Sequence, residues 1–406
     1  MRRAALIATL AFATAGCAAV VGPPRAPEKH DHAATWQKSL ARPPLAVSAA
    51  FDARSRLWLA RVEGGHVLLS ISENRGASFS TPVRVNPDPE RVAAEGENRP
   101  KIAFGAGGEI YVSWTQSLEQ PFSGHVRFSR SLDGGRTFSL PVTVNDNREL
   151  ISHRFESMIV DRRGAIHLAW LDRRDAARAR QRGEAYTGIS VYHAVSRDGG
   201  KSFDANHQIA EHSCECCRIA IALDTDDVPV IFWRHVFGRN TRDHALVRLD
   251  GKSKPARVSH DDWGVDACPH HGPSLSIGTD GIYHLAWFNG ATGRVGLNYS
   301  RTTDRGGRFS SPLGFGNSEA QAAHPQVLAL GNRVWLAWKE FDGRESTVQI
   351  MHSTDSGLSW STPAVLASTD GASDHPLLFS DGVKAYLSWN TVKQGYRLIT
   401  LQGEKS

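Results

Sequence analysis

A chain of 406 residues with a formal net charge of +5 carries too small a positive excess for nucleic-acid binding, so no nucleic-acid partner is expected. Its 37 glycines, 19 prolines and 11 tryptophans, with no long amphipathic helical pattern, exclude a helical bundle and point to short strands joined by tight turns. All-β proteins of this length routinely form one domain, so the residue count does not require two.

The first element in chain order is an export signal: Arg2 and Arg3 precede an apolar run from Ala4 to Ala15 that ends at Gly16-Cys17. About a dozen residues are too few to span a bilayer. Thr14-Ala15-Gly16-Cys17 resembles a bacterial lipobox, which implies removal of residues 1–16 and a lipid on Cys17. Residues 17–35, rich in Ala, Pro and charge, follow as a flexible tether. Residues 36–406 then form a single domain. The expected location is the bacterial cell envelope, with the lipid in the outer membrane and a monomeric protein facing the periplasm.

Within that domain a strand-like segment recurs at intervals of roughly 50–60 residues. Six copies end in tryptophan, at Trp114, Trp170, Trp233, Trp287, Trp338 and Trp389, and Leu57–Arg61 supplies a first copy. That spacing is the length of a propeller blade, so seven copies predict a β-propeller of seven four-stranded blades. The chain stops without a fourth strand for the seventh copy, and the segment from Trp36 to Leu40 is expected to provide it, closing the ring.

Four copies carry a turn signature after their third strand, Ser72–Phe79, Ser131–Phe138, Ser196–Phe203 and Ser353–Trp360, and Thr302–Phe309 is an imperfect fifth. In each, Asp or Asn accepts backbone N–H groups, Gly supplies a positive φ and the aromatic packs beneath the hairpin. The pattern Ser-x-Asp-x-Gly-x-Thr/Ser-Phe/Trp resembles the Asp-box (BNR repeat) of sialidase-like propellers. Sialidases themselves have six blades, which is the alternative to seven.

Antiparallel strands place these turns on one end of the propeller and the links between blades on the other. The link end gathers the unusual chemistry. His212-Ser213-Cys214-Glu215-Cys216-Cys217 precedes blade 4, and Cys268-Pro269-His270-His271-Gly272-Pro273 stands at the equivalent place before blade 5. His324 and His375 begin the innermost strands of blades 6 and 7. In an exported protein such cysteines often form disulfides. Here three of four lie within four residues, so full oxidation requires a bond between near neighbours, unlike ordinary disulfide geometry. Thiolates with imidazoles suit a soft transition metal, copper or zinc. Cys214, Cys216, Cys217, Cys268, His270, His271, His324 and His375 are therefore the candidate metal ligands, with Glu215 and Asp266 beside them. The C-x-C-C and C-P-x-x-G-P motifs resemble those of an exported subset of Asp-box propellers.

The resemblance to sialidases implies a second function. Those enzymes clamp a substrate carboxylate with three arginines and attack with a tyrosine activated by Glu. The positions here that match are Arg99, in Asn98-Arg99-Pro100, with Arg154 and Arg218 at the corresponding places in the next two blades. Tyr396 would be the nucleophile, Glu156 its partner and Asp172 the acid/base. The insertion Asp172–Gly188, with five arginines, could meet an anionic ligand, but a solvated helical or disordered loop is the favoured reading. Three readings stay open: a metal- or thiol-active propeller, an exo-sialidase or other glycoside hydrolase acting on an anionic glycan, and a non-catalytic scaffold for a glycan or an envelope protein.

Overall fold

The computed structural model describes residues 44–401 apart from Cys268. The expected export signal, Cys17, the tether and the closing strand near Trp36 lie outside the described residues. Within them the chain forms six four-stranded antiparallel sheets and one three-stranded sheet, each a meander in sequence order. These are the seven blades. Their innermost strands touch in sequence and the last touches the first, so the ring is closed. Leu57–Glu63 lies inside it as the second strand of blade 1, which excludes the six-blade alternative.

The second strands explain how the ring packs. Ile110–Ser117, Ile166–Asp172 and Pro229–Arg234 are buried along almost their whole length, because both faces meet a neighbouring blade. The six repeat tryptophans are all within 1% of complete burial. Each sits in the cluster between its own blade and the one before, as Trp170 does with Tyr111 and Phe128. A buried indole N–H usually finds an acceptor, although that of Trp233 has none among the described residues. Glu90 serves Trp114 at 2.9 Å, Asp172 serves Trp170 at 2.9 Å, Asp261 serves Trp287 at 2.9 Å and Glu340 serves Trp338 at 2.7 Å.

The turn signatures fold as their chemistry requires. In blade 2, Asp133 accepts the N–H of Arg136 and of Thr137, each at 3.0 Å, and the Thr137 hydroxyl at 2.6 Å. The Ser131 hydroxyl donates to Asp133 at 2.8 Å while accepting the Gly135 N–H at 2.8 Å. These bonds hold the Asp133 carboxyl well below its ordinary range. Blade 4 lacks the signature, yet Asp250 binds the N–H of Lys252 and Ser253 at 2.9 and 2.7 Å in the same manner.

Two innermost strands depart from the others. His153–Val160 and Ala323–Leu330 are eight residues long, with register shifts opposite Ala169–Leu171 and at Ala323–Gln326. The bulges coincide with Phe155 at φ 59° and His324 at φ 54°. Non-glycine residues in that region are held there by their surroundings. One of them, His324, belongs to the candidate site.

Candidate metal centre

Blade links from around the ring converge on one buried carboxylate. Glu97, in the link entering blade 2, accepts Arg218 Nη1 at 2.8 Å from the link entering blade 4 and the Gly272 N–H at 2.8 Å from that entering blade 5. His324 Nδ1, at the start of blade 6, lies 2.9 Å from Glu97 Oε1, and His375 Nδ1, at the start of blade 7, lies 3.6 Å from the same atom. Burial alone would raise the Glu97 pKa, but Arg218 and the two imidazoles hold it well below the carboxylate range.

The imidazoles form a column. His375 and His324 stack with ring centroids 3.3 Å apart, His271 follows at 4.8 Å from His324, and Phe288 lies 4.3 Å beyond His271. Gly96 permits the far end of the stack, since a Cβ there would fall 2.1 Å from the His375 ring. Burial lowers the pKa of His324 and His271 to about 3 and that of His375 to about 4, so all three are neutral at pH 7. His270 is exposed, at φ 53°.

The described cysteines make a separate group. After the fourth strand of blade 3, His207–Ser213, the chain turns so that the sulfurs of Cys214, Cys216 and Cys217 form a triangle with edges of 3.8, 3.9 and 4.0 Å. All three residues are at most 5% exposed. Arg242 Nη1 donates to Cys214 Sγ at 3.2 Å. Hydrogen bonds from the two neighbouring thiols, together with Arg234 and Arg242, hold Cys214 well below the usual thiol range, whereas burial raises Cys217. Cys268 lies outside the described residues. Glu215 is not part of the triangle and pairs with Arg173.

Of the residues expected for sialidase chemistry, Arg99, Arg154, Arg218 and Glu156 lie near enough to act on one another or on Lys101 electrostatically, whereas Tyr396 and Asp172 lie elsewhere. Arg99 is bound at two points by Asp374, 2.8 Å at each, Arg154 by Glu95 at 2.8 Å and Arg218 by Glu97. Each guanidinium thus already has a carboxylate of the chain itself. Glu156 is buried on the inner strand of blade 3, accepting the Thr115 hydroxyl at 2.6 Å with Lys101 at 3.7 Å. Tyr396 is elsewhere, on the third strand of blade 7, edge-on to Phe79 of the blade 1 turn at 5.8 Å, and burial pushes its pKa up to about 12. Asp172 is fully buried and occupied by Trp170 and Arg174. The arginine-rich insertion contains a helix, Arg174–Gln181, whose Arg174 is buried against Asp172 and Asp146 while Arg178 pairs with Asp175 and Arg182 with Glu184.

Glu97, Asp374, Arg234 and Arg242 were not among the expected site residues. Glu97 and Asp374 lie in the same blade links as Arg99 and His375, so the repeat alignment that located the histidines also contained these carboxylates.

Neither a family model nor a curated protein matches this sequence. Solved structures do resemble it in fold. Polysaccharide lyase Uly1 aligns with a TM-score of 0.57 at 10% identity over 89% of this chain and 91% of its own. A Hadza microbial sialidase, Hz136, aligns at 0.51 with 14% identity over 86% and 73%. A protein of unknown function from Dyadobacter fermentans aligns at 0.52 with 16% identity over 78% and 96%. The chain therefore shares the β-propeller architecture of sugar-active enzymes, sialidases and lyases among them.

Proposed function

We propose that this propeller binds a soft transition metal, copper(I) or zinc, through Cys214, Cys216 and Cys217 on its link face. The sulfur triangle carries the reading. Three thiolates around one ion at about 2.3 Å stand about 3.8 Å apart on a tetrahedron and about 4.0 Å apart in a trigonal plane. The observed edges of 3.8–4.0 Å span those two values. Arg242 and Arg234 offset the negative charge that several thiolates bring. Cys268, in the next link, is the natural fourth ligand for a tetrahedral ion. With the lipid on Cys17, the protein would hold its metal at the envelope.

The test is metal content after reconstitution with copper(I) or zinc under reducing conditions. The unmodified protein should bind the ion stoichiometrically, and Cys216→Ser/Cys217→Ser should lose it while keeping a propeller-like circular dichroism spectrum. A full-length protein that binds no metal at the cysteines and yields two disulfides by thiol counting would overturn the reading.

A second reading, binding or cleavage of an anionic glycan, is favoured by a cleft of about 840 Å³ between blades 5, 6 and 7. His271 and His324 line it together with Lys339 and Arg344, and the carboxylates Glu340 and Asp370 share the wall. The occupied state of Arg99, Arg154 and Arg218 speaks against a sialidase-type carboxylate clamp.

A further inference from the structure

We infer that Glu97, His324 and His375 form a second metal site, distinct from the cysteine triangle, which takes a borderline divalent ion such as Zn²⁺ or Cu²⁺ and keeps a coordination position open to an anionic ligand. It is independent of the thiolate reading. One ligand atom from each residue lies within 4.8 Å of the others, with Glu97 Oε1 2.9 Å from His324 Nδ1 and 3.6 Å from His375 Nδ1. Nitrogen and oxygen ligands bind such ions at about 2.1 Å, which sets neighbouring ligands about 3.0 Å apart in an octahedron and about 3.4–3.6 Å apart in lower coordination. The 3.6 Å edge falls in that range, and the 2.9 Å edge lies just below it, at hydrogen-bond distance.

A hydrogen bond accounts for the shorter contact but not for the longer one. His375 Nδ1 is buried and faces Glu97 Oε1 from 3.6 Å, too far for a well-formed hydrogen bond. An ion at the Nδ1 edges of the two rings, beside the carboxylate, would engage that nitrogen. The surrounding structure also fixes the ligands as a metal site requires. Gly272 N–H and Arg218 hold the carboxylate, Gly96 seats the His375 ring and the bulge at φ 54° aims His324.

Charge then defines the remaining ligand. Arg218 already neutralises Glu97, Asp374 is bound to Arg99 and Glu156 faces Lys101. A divalent ion here keeps an excess of positive charge. His324 opens onto the cleft of about 840 Å³ and His375 onto a second of about 610 Å³. A carboxylate or small oxyanion entering from either side balances the ion, and Lys339 lies on the wall of the larger cleft. Three protein ligands with an open position is the arrangement of catalytic rather than structural metal sites.

The experiment is Zn²⁺ stoichiometry by elemental analysis on three proteins. The unmodified chain should bind two ions, Cys216→Ser/Cys217→Ser one, and His324→Ala/His375→Ala one. Loss of all zinc from the cysteine variant, or no loss from the histidine variant, overturns the second site and leaves the first untouched. Should the double histidine variant fail to fold, Cu²⁺ bound to the cysteine variant gives the answer by electron paramagnetic resonance. Hyperfine coupling to two nitrogens, reduced to one in the added variant His375→Gln and perturbed by azide, is expected. A spectrum without nitrogen coupling refutes the site.

Discussion

His284 and His193 show what burial does to single side chains in this ring. His284 is fully buried on the second strand of blade 5 with Nδ1 2.7 Å from the Tyr299 hydroxyl, and burial lowers its pKa to about 4. Burial lowers His193 likewise, to about 3. Both are neutral in the fold but take up a proton below about pH 6.5 when the chain unfolds. The unfolded state therefore binds more protons as acid is added, and stability is lost from about pH 6.5 down towards pH 4. His284→Gln keeps an acceptor for Tyr299 and removes the titration. Urea unfolding of that variant should lose less stability than the unmodified protein between pH 7 and pH 4, by up to about 3 kcal/mol. At this scale the sequence was legible where residue type is unusual, as with Cys214, Cys216, Cys217, His324 and His375. It was not legible for Glu97 or Asp374, since loop carboxylates are usually solvated and only the closed ring brings distant links together.

Among the elements, the Ser-x-Asp-x-Gly turn is the most local and was the easiest to foresee, because its bonds run between residues at most four positions apart. What local reading missed is that the turn is also a blade-to-blade contact. A Cβ on Gly135 would meet Trp58 of blade 1 at 2.6 Å, whereas one on Gly134, also at positive φ, would meet nothing within 4 Å. Gly134→Ala isolates the backbone strain, about 1 kcal/mol, while Gly135→Ala adds the clash and should cost at least about 2 kcal/mol. Equal losses in thermal unfolding of the two variants would show that the turn does not bear on its neighbour. The arginine-rich insertion is the converse case. By composition it suited an anion or a solvated loop, but Arg174 turned inward because Asp172 and Asp146 were there to receive it. Composition carries no information on such pairings.

For the whole molecule, six of the seven blade interfaces hold a repeat tryptophan, and the seventh, between blades 7 and 1, is built differently. Arg61 occupies the tryptophan position there, and Phe51 packs against Phe379 and Tyr386 at 5.3 and 4.8 Å. A polar latch completes it: Asp374 accepts the Val47 N–H at 3.0 Å and grips Arg99, which donates to the Val47 carbonyl at 2.7 Å. Asp374→Ala leaves a buried guanidinium without its carboxylate and should destabilise by about 3–5 kcal/mol, with part of the loss recovered in Arg99→Met/Asp374→Ala. Denaturant unfolding of both variants checks this, and a double variant no more stable than the single one would assign the latch no electrostatic role. Blade number was legible from the repeat, whereas the polar latch was not, because its partners share no motif. Its consequence is kinetic. Val47 and Asp374 are 327 positions apart, so their contact closes a very long loop and is expected to form late, after the blades between them. An interaction absent from the transition state acts on the unfolding rate alone. The latch therefore sets how long a folded ring survives rather than how quickly it assembles, and breathing of the propeller should begin where blade 7 meets blade 1.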